Sequence, residues 1–179
     1  MIKEFQGKYR FLSNFWECPV LYENQIYPSS EHLYQALKTL NIDEREKIRL
    51  SPNAAQAKRL GKKVDVRLDW ESIKEDIMEE IVWRKFRQNT KLGKALIETG
   101  TEELQEGNKW HDLWFGVDIK TGLGQNKMGK ILMKIREKLK NLPKCTLCKN
   151  CTVKTVKPDS NPVEYIYSDC ICMENKNVG

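Results

Sequence analysis

Four stretches of this 179-residue chain place polar, ionisable or aromatic side chains where turns start or where periodicity asks for core. Gly7-Lys8-Tyr9-Arg10-Phe11-Leu12-Ser13-Asn14-Phe15 is turn-prone and mixes cations, an asparagine and aromatic rings. Tyr27 to Lys38, YPSSEHLYQALK, puts Glu31 in the first turn of a helix. Trp83 to Asn89 reads WRKFRQN, and Gly107 to Val117 reads GNKWHDLWFGV, followed by Gly122-Leu123-Gly124-Gln125-Asn126. No Walker loop, nucleophile elbow, HExxH or dinucleotide fingerprint occurs. His32 and His111 are the only histidines, which excludes a histidine-rich metal centre in the body. Carboxylates and aromatic rings are what remains for chemistry there.

Thiols are placed differently. Cys18 stands alone, whereas Cys145, Cys148, Cys151, Cys170 and Cys172 crowd the last part of the chain. The C-x-x-C spacing suits a tetrahedral thiolate site, so one structural zinc held by four of these five is expected. An iron–sulfur cluster or a reducible tail are the alternatives. No cofactor is expected for catalysis.

The elements that position these residues follow from pattern. Residues 1–28 read as short extended segments and turns. Val20-Leu21-Tyr22 and Gln25-Ile26-Tyr27 flank Glu23-Asn24 as a hairpin, with Pro28 ending the strand. Ser29 or Ser30 caps a helix from Glu31 to about Leu40, burying Leu33, Ala36, Leu37 and Leu40. A charged helix over Asp43 to Leu50 and another from Ser51-Pro52-Asn53 to Gly61 follow. Asp69 is the expected N-cap of the longest helix, Trp70 to Gln88, with Trp70, Ile73, Ile77, Ile81, Val82 and Phe86 along one face. Leu92 to Thr99 is a shorter helix, and Trp110 to Val117 an extended aromatic segment. A last helix over Asn126 to Leu139 ends before Pro143, the expected domain boundary. The fold class is helix-dominated α+β: one domain over 1–141 with a cysteine-rich appendage over 142–179, where Val163 to Tyr167 alternates like a strand.

In this order and at these distances, the motifs resemble the NADAR (YbiA-like) family. Its pattern runs FxGxYRFLSNF, YPSSEHxYQAxK, KFxQN, EGNxWxDxxWG and G-x-N-x-x-G-x-x-L-M. The matching residues are Phe5 to Phe15, Tyr27 to Lys38, Lys85 to Asn89, Glu106 to Gly116 and Gly124 to Met133. Residues 1–140 are covered and the tail has no counterpart. One departure is the order Trp114-Phe115-Gly116, where the family has an aromatic and then Trp before Gly. In an extended segment this moves the indole to the other face.

The resemblance implies hydrolysis of an N-glycosidic bond to ribose. The substrate is either ADP-ribose on guanine of nucleic acid or a phosphorylated ribosylamine intermediate of riboflavin synthesis. The transition state of such a reaction is oxocarbenium-like, so a carboxylate stabilises it and positions water. The leaving nitrogen needs a proton or hydrogen bonds, an aromatic wall can hold a base, and phosphate needs cations or N–H groups. Glu31 and Asp112 are the expected catalytic residues. Lys8, Arg10, Asn14, Phe15, Trp110, Trp114, Phe115, Gly116 and Asn126 are the expected substrate-binding residues. Each also has a plainer reading: Glu31 serves a helix dipole, Asp112 closes a turn, the rings are core, and Lys8 and Arg10 are solvated. His32 is assigned to a backbone carbonyl rather than to catalysis.

Net charge is +6, from 31 basic and 25 acidic residues. The densest basic run is Lys58, Arg59, Lys62, Lys63 and Arg67, which suits a phosphate-bearing ligand or a solvated helix face. It inclines the reading toward a substrate carried on nucleic acid. The alternative from another class is a module that binds ADP-ribose or a related nucleotide without cleaving it. No apolar run is long enough to span a bilayer and the N-terminus has no signal-peptide character, so a cytoplasmic location is expected.

Overall fold

The computed structural model describes residues 1–141 and two strands beyond them, Thr152–Val156 and Tyr165–Ser168. Among these residues the fold is helix-dominated α+β. A 3-10 helix over Gly7–Leu12 precedes strands β1 (Glu17–Tyr22) and β2 (Gln25–Ser29). Helices α1 (Ser30–Ala36), α2 (Ile42–Arg49), α3 (Ala54–Gly61), α4 (Trp70–Gln88) and α5 (Thr90–Glu98) follow. Two short strands, β3 (Gly107–Asn108) and β4 (Val117–Asp118), lead to α6 (Lys127–Lys140), and the two later strands are β5 and β6. The strands pair two by two, β3 with β4 parallel and the other pairs antiparallel. The five tail cysteines proposed as metal ligands, Cys145, Cys148, Cys151, Cys170 and Cys172, lie outside the described residues. None of the described helices is long and apolar enough to cross a membrane.

The hairpin forms where its turn residues allow it. Glu23 and Asn24 adopt φ of 47° and 62°, the left-handed pair that matches the twist of flanking strands. Val20 therefore faces Tyr27, and Tyr22 faces Gln25. Pro28 sits inside β2 rather than ending it. The segment before the hairpin is not extended throughout, since Gly7–Leu12 winds into the 3-10 helix.

Ser29 caps α1 by accepting the His32 amide on its hydroxyl. The helix stops at Ala36, earlier than its apolar spacing predicts, and Leu40 is 65% exposed instead of buried. The chain is drawn off the helix axis at this point. The Lys38 carbonyl accepts the Arg67 amide at 2.8 Å, and the Thr39 carbonyl accepts Arg45 Nε at 2.7 Å. Asn41 and Asn53 then cap α2 and α3 with their side-chain oxygens.

The long helix α4 forms over the expected residues. Trp70, Ile81, Val82 and Phe86 are buried, and Ile73 and Ile77 pack partly buried against the core. Asp69 stands at its N-terminus, but its carboxylate binds the Arg67 guanidinium at 2.6 and 2.8 Å and caps no helical amide. The bidentate, charge-assisted pair outcompetes a neutral N–H. Complete burial of side chains such as Leu33, Ile81 and Phe86 stabilises the fold by about 1.5–3 kcal/mol each.

The last turn of α4 fastens the front of the chain. Lys85 Nζ donates to the Ser13 carbonyl at 2.7 Å, and Asn89 Nδ2 donates to Pro19 O at 3.0 Å. Gln88 accepts the Leu21 amide at 2.8 Å and donates back to its carbonyl at 3.0 Å. The KFRQN stretch is thus a set of fasteners that places Ser13, Asn14 and β1 over the helices.

Candidate active site

Glu31 enters the site through its backbone as well as its side chain. Its amide donates to Asn14 O at 3.1 Å, which ties the first turn of α1 to the segment after the 3-10 helix. Its buried carboxyl accepts Gln35 Nε2 at 2.7 Å on Oε1, one helical turn away. Burial holds this carboxyl above the usual carboxylate range. The Gln35 hydrogen bond and the Lys58 and Lys38 ammoniums draw it back, and Asp112 pushes it up.

Two further carboxyls lie near enough to act on Glu31 or on each other electrostatically. Glu106 is pushed up to about 7, first by burial and then by the Asp112 and Glu31 carboxylates, with Lys58 and Lys85 opposing. Asp112 uses Oδ1 to accept the Trp114 and Phe115 amides at 3.2 and 3.0 Å, so it closes the turn that carries the aromatic rings. Among the described residues no three His, Cys, Asp or Glu side chains stand close enough to hold a metal ion.

The residues around Glu31 also carry polar atoms without protein partners. Asn14 Oδ1, Ser30 Oγ and Gln35 Oε1 are buried and make no hydrogen bond. Such atoms cost free energy and are rare in folded interiors. Here they lie on Ser30, beside Glu31 in the chain, on Gln35, one helical turn away, and on Asn14, whose carbonyl accepts the Glu31 amide.

Residues 2–140 match the NADAR domain family. The chain belongs to this family. Among its relatives is a riboflavin biosynthesis protein of Vibrio vulnificus, 41% identical over 131 residues. That match covers 72% of this chain and 35% of the Vibrio protein, so the chain spans about a third of that relative's length. The N-glycosidase YbiA of Escherichia coli is 35% identical over 133 residues, covering 73% of this chain and 82% of YbiA. An N-glycosidase of Nostoc punctiforme is 33% identical over 139 residues, covering 75% and 88%. The NMR structure of E. coli YbiA superposes with a TM-score of 0.69 at 32% identity, over 78% of this chain and 87% of that one.

The expected substrate-binding residues of this NADAR domain separate into groups. Asn14 is buried and Phe15 partly buried beside the recess, with Lys58 Nζ 5.5 Å from the Phe15 ring centre. Phe115 meets Tyr34 edge-on, with ring centres 5.8 Å apart. Trp110 is 63% exposed and Trp114 38%. Lys74 and Lys127 place their ammoniums 4.6 and 5.2 Å from the Trp114 ring centre. Gly116 is buried, and a Cβ there would stand 2.5 Å from both Glu106 O and Asn108 Nδ2; its lack of a side chain lets the loop close on Glu106.

Three expected residues have other engagements. Lys8 and Arg10 are exposed; Lys8 lies over the Tyr9 ring and Arg10 donates to Gln6 Oε1 at 3.0 Å. Asn126 spends both ends of its amide inside the protein, accepting the Glu106 amide at 3.1 Å and donating to Leu104 O at 2.9 Å.

The segment Trp110 to Gly116 is turned rather than extended. His111 adopts φ 59°, and the Asn108 side chain accepts the Trp110 and Asp112 amides and donates to Asp112 O. Side chains there supply what a neighbouring strand would have supplied, so alternation of faces does not decide where the Trp114 indole points. His32 is neutral core chemistry, as expected: Nε2 donates to Ser51 O at 3.2 Å and Nδ1 accepts the Ser29 hydroxyl at 2.7 Å. The neighbouring surface cavity, of about 320 Å³, is lined by Glu17, Cys18, Pro28, His32 and Ser51 and includes none of the three carboxyls.

Sequence reasoning missed Glu106, Gln35, Lys38 and Lys58. Glu106 opens the EGN motif and Gln35 and Lys38 lie in YQALK, so motif membership was the available signal. Lys58 had none beyond its place in a basic run.

Proposed function

We propose that this chain hydrolyses the N-glycosidic bond of a riboside, releasing the base or amine and a free ribosyl C1′ hydroxyl. It acts as a hydrolase on N-glycosyl bonds. Its substrate is either ADP-ribose on guanine of nucleic acid or a phosphorylated ribosylamine of riboflavin synthesis. The observation that carries this reading is the buried Glu31 carboxyl, oriented by Gln35, with Glu106 and Asp112 near enough to act electrostatically.

Burial raises both Glu31 and Glu106, so their roles are assigned by what the reaction asks of each. As the C1′–N bond lengthens, positive charge grows on C1′ and the ring oxygen. A Glu31 carboxylate facing that charge stabilises it and holds the water that adds to C1′. The leaving nitrogen takes up a proton. A carboxyl with its pKa near 7, such as Glu106, still holds one at neutral pH and can donate it. Gln35 is a positioning residue: its Nε2 fixes Oε1 of Glu31 and leaves Oε2 for the substrate side. A module that only binds nucleotide gains nothing from three carboxyls crowded together at the cost of mutual repulsion.

The test is mass-spectrometric screening of ribosylated nucleobases and phosphoribosylamines with wild type and Glu31→Gln in parallel. Turnover of at least one N-riboside is expected from wild type. Glu31→Gln should lose on the order of a hundredfold or more in rate while keeping its circular dichroism melt and most of its ligand affinity. Near-normal turnover by the variant removes Glu31 from the mechanism.

A further inference from the structure

Helices α1 and α3 meet along a seam that places cations beside the carboxyl recess. On α1, Glu31 and Gln35 stand one turn apart, and Lys38 follows the helix end at the next turn. Opposite them, α3 presents Lys58 and Gly61, with Lys62 at its C-terminal cap. The backbones are close here, since a Cβ on Gly61 would lie 2.1 Å from Gln35 Oε1 and 2.7 Å from Gln35 Cβ. Lys58 extends to 5.5 Å from the Phe15 ring centre, and Lys38 to 5.7 and 6.0 Å from those of Tyr34 and Trp70.

Lys38 and Lys58 act on the Glu31 carboxyl from a distance without contacting it. Among the described residues, Lys38, Lys58 and Lys62 form no ion pair, whereas Arg49, Lys74, Arg84, Lys127 and Lys134 each hold a carboxylate. Burial lowers the Lys38 ammonium's hold on its proton most; Glu31 and Glu71 raise it, and Lys58 and Lys62 lower it further. An arrangement of neighbouring like charges, two of them partly buried, is relieved by an anion brought by the ligand.

We propose that Lys38, Lys58 and Lys62 form the subsite for the phosphate group of the substrate, on the α1–α3 seam, and that Lys8 and Arg10 take no part. The identification of the anion as a ribose phosphate rests on the glycosidase reading; the cationic subsite does not. A 5′-phosphomonoester and the diphosphate of ADP-ribose share the chemistry that three lysines recognise. The basic run thus divides: Lys58, partly buried, and Lys62, exposed at the end of α3, are assigned to the seam, Arg59 and Lys63 are left to solvent, and Arg67 is paired with Asp69.

The experiment is isothermal titration of the full chain with ribose, ribose 5-phosphate and ADP-ribose, at low and high salt. Wild type should bind both phosphorylated probes more tightly than ribose, with the preference shrinking as salt rises. Lys58→Gln and Lys62→Gln should each lose about tenfold in affinity for the phosphorylated probes and leave ribose binding unchanged. Lys58→Arg, which keeps the charge, should retain most of the preference and guards against misfolding as the cause. A larger loss with ADP-ribose assigns the subsite to a diphosphate, and an equal loss assigns it to a monoester; both support it. Equal binding of ribose and ribose 5-phosphate by wild type overturns the proposal. So does an intact preference in Lys58→Gln with loss in Arg10→Gln. If the preference depends on Lys58 but no N-riboside is hydrolysed, the subsite stands and the glycosidase reading falls.

Discussion

Glu106 is fixed by its backbone before its carboxyl does anything. Its amide is held by Asn126 Oδ1 and its carbonyl by the Val117 amide at 2.9 Å, so the side chain has little choice but the recess. A carboxyl that titrates near 7 when folded and near its ordinary 4.5 when unfolded binds its proton more tightly in the folded state. Stability should therefore be greatest below about pH 4.5 as far as this group is concerned, fall as pH rises to about 7, and level off above. Glu106→Gln should lack that slope, so the stability advantage of wild type over the variant in urea melts should shrink as pH rises across this window. If Glu106 donates the proton to the leaving nitrogen, the wild-type rate should also decline above about pH 7. The variant should be slow and lack that decline. A variant with the wild-type pH–rate profile places the donor elsewhere. Lys85, buried beside Glu106 and lowered to about 8, works in the opposite direction, adding stability as pH rises from about 8 toward its ordinary 10.5.

At the scale of elements, the α1–α3 seam is tight where Gly61 meets Gln35. Gly61→Ala sets a methyl group against Gln35 Cβ as well as its amide, and Cβ cannot swing away as a side-chain terminus can. Overpacking of this kind costs about 1–3 kcal/mol, which should appear as a lowered Tm. It should also lower kcat, because the Gln35 that orients Glu31 is the group displaced. A normal melt with normal kcat means that the seam yields more easily than its geometry indicates. The helices themselves were legible in the sequence wherever a cap and an apolar period agreed, as with Ser29 before α1, Asn53 before α3, and the Trp70–Phe86 face of α4. What could not be read was where tertiary partners override the pattern. Leu40 has the right spacing for burial, but Arg67 and Arg45 capture the preceding carbonyls. Trp110 to Gly116 has the composition of a strand, but the Asn108 and Asp112 side chains bend it into turns. The motif singles out Glu31 and the basic run includes Lys58, but that Lys58 faces α1 across a seam is a property of two helices and leaves no mark on one.

For the whole molecule, the carboxyls, cations and rings of the candidate site all lie within residues 1–140, the span that matches the family. The cysteine-rich tail therefore stands apart from the proposed chemistry. Its C-x-x-C spacing leads us to expect one zinc per chain in protein purified under reducing conditions, measured by elemental analysis. Truncation after Leu142 should keep turnover of a small nucleoside substrate. Protein free of metal contradicts the zinc expectation, and a folded but inactive truncation contradicts the division of labour.

The two-ended grip of Asn126 has a consequence in time as well as in space. Its amide joins Leu104 and Glu106 to the start of α6, and the Met128 amide in that first turn bonds to Phe115 O at 2.9 Å. One side chain thereby joins two stretches distant in sequence, backbone bonds from the same turn add a third, and the three should open to solvent together rather than one at a time. In native-state hydrogen exchange, the Glu106, Val117 and Met128 amides should share one opening free energy. Asn126→Ala should quicken all three by a common factor while leaving the Leu21 amide, held by Gln88 on α4, at its original rate. Separate responses of the three would mean that the grip holds position without holding cooperativity.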